Sequence, residues 1–128
     1  MMDRPSLPEL IGAVREFLES QAIPQLQGHT AFHARVAVNA LAIAERELVA
    51  GPAAAGDERS RLMSLLEAEG GDLDDLNREL CARIAGGRMG METPGLVAHL
   101  ERTTLDKVAI DQPRYSGLVS ARARIGRL

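Results

Sequence analysis

The segment Thr30 to Ala50, TAFHARVAVNALAIAERELVA, constrains this chain more than any other stretch. Phe32, Val36, Asn39, Ile43 and Arg46 fall on one line of a helix, while Ala37, Leu41, Ala44 and Leu48 make a second apolar strip. A helix with two apolar strips needs neighbours on two sides. The spacing therefore predicts a central apolar helix over 30–50 with shorter amphipathic helices packed against it, stopped by Gly51-Pro52.

The flanking segments fit that role. Ser6-Leu7-Pro8-Glu9 is a capping-box pattern, and Leu7, Leu10, Ile11, Val14, Phe17 and Leu18 recur at helical steps, predicting a first helix with one buried face. Pro24 and Gly28 end or kink it before the central helix. Glu58 to Glu69 reads as a short helix with Leu62, Leu65 and Leu66 inward. Asp72 caps another, with Leu73, Leu76, Leu80 and Ile84 inward and the surface pairs Asp74/Arg78 and Glu79/Arg83. Thr93-Pro94 opens a last long helix to about Ile110.

Composition agrees. The chain is 45% apolar but holds two Phe, one Tyr and no Trp, which favours close helix packing over a β-sandwich. The expected fold is all-α: a compact orthogonal or bundle-like array of about five helices around the central helix 30–50. The expected organisation is a single helical domain over 1–115, with 116–128 a basic C-terminal tail. The single Cys81 cannot form an internal disulfide and lies in an apolar-periodic helix, where a buried inert thiol is the default. No leader or membrane-spanning run is visible, so a cytoplasmic protein without membrane association is expected. The net charge of −3 includes Arg114, Arg122, Arg124 and Arg127 at the end, leaving an acidic body that argues against nucleic acid as a partner.

Candidate site residues come from the polar members of apolar lines. On the last helix Leu96 and Leu100 continue as Thr104, Lys107 and Asp111, and the central helix carries Arg35 and Asn39 among Phe32, Val36 and Ile43. Should these stripes face one another, Arg35, Asn39, Lys107 and Asp111 would form a partly buried polar cluster. Such a cluster either satisfies itself and sets helix register or holds a small anionic ligand. Arg114 and Tyr115, fixed in direction by Pro113, either cover the core edge or form the rim of a partner site. His29 and His33 are spaced as two metal ligands on one helix face, with His99 or Glu45 as a third, but they lack the glutamate of an HExxH pattern, and exposed polar residues are the simpler reading. No phosphate loop or nucleophile elbow is present, so neither catalytic residues nor a cofactor are assigned.

DRPSLPELIGAVREFL, FHARVAVNALAIAERE and TTLDKVAIDQPRY together make the chain, from Asp3 to Tyr115, resemble a family of small bacterial domain-of-unknown-function proteins. Members of that family are found beside, or fused to, aminoglycoside-phosphotransferase-like kinases and acyl-CoA dehydrogenases. The resemblance implies an accessory role with such an enzyme and no established reaction. Its recurrent polar positions correspond here to His33, Arg35, Asn39, Glu45, Lys107, Asp111, Arg114 and Tyr115. The functional expectation is a non-enzymatic accessory or interaction protein that docks on a kinase or acyl-CoA dehydrogenase or forms a homo-oligomer. The alternative is a protein binding a phosphate- or carboxylate-bearing metabolite, such as an acyl-CoA, through Arg35 and Lys107.

Overall fold

The computed structural model describes residues 3–126 and is all-helical, with no strand among the described residues. Five α-helices follow in order: α1 (Leu7–Phe17), α2 (Gly28–Leu66), α3 (Leu73–Ala85), α4 (Leu96–Asp111) and α5 (Ser116–Ile125). No helix is long and apolar enough to cross a membrane among the described residues. The chain divides into two compact units, Met1–Gly51 and Pro52–Leu128, and α2 supplies helix to both.

In the first unit, the Ser6 hydroxyl accepts from the Glu9 backbone N–H, and the Glu9 carboxylate accepts from that of Ser6 at 2.6 Å. Two free amide donors are thereby satisfied, and the hydrogen bond from the Ser6 backbone holds the Glu9 carboxyl below its ordinary range. Helical rotation continues beyond Phe17 through a wide turn, Leu18–Ala22, and a tight one, Ile23–Gln25. Leu26 is extended, and Gly28 adopts a φ of +59° that a side chain would strain, so the chain doubles back into α2. The antiparallel hairpin is close-packed at Gly12, where an added Cβ would stand 3.4 Å from the Glu45 carboxylate. Next to it, Arg15 donates to one Glu45 oxygen through Nε and Nη2, at 3.2 and 2.8 Å.

The apolar line expected to be the buried face of α1 is not buried. Leu7, Leu10, Val14 and Phe17 are 56, 49, 51 and 54% exposed. The helix instead turns Ile11, Gly12, Arg15 and Leu18 toward α2, because a single neighbouring helix covers only one strip of α1 and the glycine lets it approach there.

The central helix also departs from expectation: Gly51-Pro52 does not end it. Pro52 has no N–H to give the Leu48 carbonyl, a defect worth about 3 kcal/mol in an isolated helix. Both sides are held by packing, through Ala31 and Val38 in one unit and Leu62 and Leu66 in the other, and burial outweighs the local penalty. The short helix expected over 58–69 is therefore the far end of α2.

The second unit has the leucine core. Leu62 is fully buried and packs in one cluster with Leu66, Leu76, Leu80, Met89 and Leu96. The turn after α2 passes through Glu67 at φ +55° and is tied by Arg83 Nη1 to the Leu66 carbonyl and by Arg59 Nε to that of Gly71. Asp72 caps α3 by accepting from Asp75 N at 2.8 Å. On α3 Leu76 and Leu80 are buried, Ile84 is largely exposed, and Cys81, one residue round from Leu80, is exposed rather than buried. Arg78 pairs with Asp75 instead of Asp74, whereas Arg83 and Glu79 pair as expected at 2.7 Å. Thr93 does not cap α4: its hydroxyl accepts from Gly90 N inside the loop, and Gly95, at φ +87°, takes the cap position. Within the segment expected as a basic tail, Ser116–Ile125 form α5, in which Leu118 is buried.

Leu62→Ala is expected to lower unfolding stability by about 2–5 kcal/mol in urea titrations followed by far-UV circular dichroism. Cys81→Ser, on the exposed side of α3, should cost under about 0.5 kcal/mol in the same titration.

Candidate functional site

The side chains singled out by the sequence are distributed over both units. Arg35 and Asn39 lie on successive turns of α2 in the first unit, beside the exposed Phe32 and Val36. His29 and His33 are exposed at the start of the same helix, the His33 ring meeting Phe32 edge-on at 5.4 Å between centroids. Among the described residues no group of three or more His, Cys, Asp or Glu side chains is gathered as a metal site would require. Lys107 and Asp111 lie on α4, and Arg114 and Tyr115 in the turn to α5, all in the second unit. Arg35, Asn39, Lys107 and Asp111 are each exposed, so none carries the desolvation that the cluster was expected to impose.

The reason on α4 is a difference of helical phase. The line Leu96, Leu100, Thr104, Lys107 and Asp111 was expected to face inward, but beyond Leu96 it is exposed. The inward line is Leu96, His99, Thr103 and Asp106, about a fifth of a turn away. It too changes from apolar to polar along its length, and its polar members meet Arg61 of α2. Arg61 Nη2 donates to the Thr103 hydroxyl at 3.1 Å and lies 4.0 Å from the Asp106 carboxylate, which Arg102 also approaches at 3.4 Å. His99 is 3% exposed. A signal for this cluster is present in the spacing, since His99 falls three residues after Leu96, but the more apolar Leu100 competes for the same turn.

Arg61 Nε and His99 Nδ1 are both buried without a hydrogen-bond partner. They are chemically complementary: the guanidinium can only donate, and a neutral imidazole protonated on Nε2 accepts through Nδ1. Burial pushes the His99 pKa down, the nearby Arg61 cation pushes it further, and Glu58 opposes them. Glu58 itself accepts from Asn77 Nδ2 at 3.1 Å, tying this polar layer to α3.

A second feature of the same unit is a groove of about 430 Å³ between α4 and α5. Leu100, Leu105, Val108 and Ile125 make its walls, with Tyr115 and Arg124 among its polar lining. Tyr115 is fixed there by Gly117, where an added Cβ would fall 2.7 Å from the ring. Tyr115 thus has a defined place at the edge of an apolar groove, while Arg114 is exposed beside it.

The depressed His99 pKa sets a pH dependence. The unfolded chain takes up a proton near the ordinary histidine value of about 6.5, and the folded protein resists it, so stability is full above that pH and declines as pH falls through it. Urea titrations between pH 7 and pH 5 should show this loss, and His99→Leu should flatten it. Carboxylates such as Glu9 and Glu79, whose pKa values are lowered by hydrogen bonds, lose their contribution only at more acid pH.

Comparison with curated proteins and with solved structures gives no match. The model of one family, described as a domain of unknown function (DUF6285), matches residues 24–115, from the turn before α2 to Tyr115. With most of its length matched, the chain belongs to the DUF6285 family.

Proposed function

We propose that this chain is a non-enzymatic accessory protein that works by docking. The observation carrying this reading is the uncovered line of Leu7, Leu10, Val14 and Phe17 on α1. Single exposed leucines are ordinary, but four large apolar side chains on successive turns of one helix are the pattern of an interaction face. Arg35 and Asn39, set beside exposed Phe32 and Val36, have the mixed apolar and polar character of contact residues and belong to the docking role rather than to an enclosed ligand site. The partner class that the family resemblance implies is a phosphotransferase-like kinase or an acyl-CoA dehydrogenase.

The α4–α5 groove favours a second reading, a protein that holds an acyl chain. Its apolar walls suit a hydrocarbon, and Arg124 and Tyr115, which line it, would meet the anionic end of such a ligand.

For the docking reading, the kinase or dehydrogenase from the same source should co-elute with the protein on size exclusion, and Leu10→Glu with Phe17→Glu should abolish co-elution; separate elution of the wild-type pair removes that partner class. For the groove, long-chain acyl-CoA at a hundredfold excess over its dissociation constant should raise the melting temperature by several degrees. Ala121→Phe, which fills the groove, should remove the shift; no shift in the wild type dismisses the acyl reading.

A further inference from the structure

The exposed line on α1 has a counterpart on α2. Ala37, Leu41, Ala44 and Leu48 form a strip in which small and large side chains alternate; Leu48 is 39% exposed and none of them is fully buried. The α1 strip lies roughly a third of a turn from the face that Ile11, Gly12, Arg15 and Leu18 turn to α2, and the α2 strip roughly a fifth of a turn, in the same rotational sense, from Glu45. Because the two helices run antiparallel, rotations of the same sense open toward one side of the hairpin. That side therefore carries two parallel apolar strips, large residues on α1 and alternating small and large ones on α2.

We infer that the occupant of this face is a second copy of the chain, with α1 of each copy seated on α2 of the other to complete an antiparallel four-helix bundle. The inference rests on the docking reading above and names its partner. Three properties of the face support it. Neither strip contains a charged side chain, so two-fold pairing brings no like charges together. The register sets apolar against apolar, since with Val14 of one copy level with Ala44 of the other, Leu10 falls opposite Leu48 and Phe17 opposite Leu41, and a two-fold axis parallel to the helices makes that match twice. It also sets every helix antiparallel to its neighbours, as in an up-and-down bundle. Finally, the half-exposed residues offer on the order of 500 Å² of apolar surface per copy, so a pair buries on the order of 1,000 Å² before its polar rim is counted, which is the scale a specific dimer needs.

The experiment is sedimentation equilibrium on the full chain, with disulfide trapping in a Cys81→Ser background because Cys81 is exposed. The expected result is twice the chain mass of 13.8 kDa. Leu10→Glu with Phe17→Glu, both at exposed positions, should raise the dissociation constant at least about a hundredfold while far-UV circular dichroism keeps its helical signature. Antiparallel register places Val14 of one copy over Ala44 of the other, so a Val14→Cys chain mixed with an Ala44→Cys chain should form the mixed disulfide in preference to links between like chains. A monomer at all concentrations, a dimer insensitive to the glutamates, or a dominant link between two Val14→Cys chains overturns the inference. A monomer that still captures the kinase or dehydrogenase through this face, and loses it with the same glutamates, overturns the second copy alone and leaves the docking reading standing.

Discussion

Two helices laid side by side can cover only one strip of each other, and this limit governs the first unit. The α1–α2 contact is drawn close by Gly12 and pinned by the Arg15–Glu45 ion pair, a partly shielded interaction worth on the order of 1 kcal/mol. Both devices fix which strip is used, and so determine which strips are left over. A chain with two Phe, one Tyr and no Trp cannot bridge the remaining surface with bulky rings, so the aliphatic residues outside the contact stay uncovered. The exposed apolar line of α1 is thus a geometric consequence of building this unit from a hairpin.

The second unit solves the same problem differently. Four of its buried leucines come from the end of α2 and from α3, and Met89 and Leu96 close the cluster from the following loop and helix. Three directions of approach allow Leu62 to be sealed completely. The polar layer beside this core, Arg61 with His99, Thr103 and Asp106, is the continuation of the same helix faces after the apolar residues run out. Each group there has a chemical reason for its company: the guanidinium finds acceptors in Thr103 and Asp106, and a neutral imidazole is favoured where an imidazolium would add a buried cation beside Arg61.

Much of this was legible in the residues. The Ser6 capping box, the Asp72 cap, the inward leucines 62, 66, 76 and 80 and the all-helical class follow from spacing and hydrogen-bonding chemistry. What escaped the sequence depended on competition between near-equal local choices. Gly51-Pro52 is a strong stop until burial on both sides overrides it, and Thr93-Pro94 resembles a cap until the loop claims the threonine hydroxyl. The face of α4 was the most consequential case, because Leu100 and His99 are adjacent and apolarity alone selects the wrong one. Periodicity fixes the angle between residues but not the zero from which it is measured.

The sparing use of rings has one more consequence. The single tyrosine stands over Gly117 at the joint of α4 and α5 and is not a member of the leucine cluster built on Leu62. With no tryptophan in the chain, ultraviolet absorbance and intrinsic emission come almost wholly from that one ring. A spectroscopist heating this protein reads the surroundings of the α4–α5 joint directly, and a melting curve from that ring that departs from one by backbone dichroism or calorimetry would show the joint giving way apart from the interior.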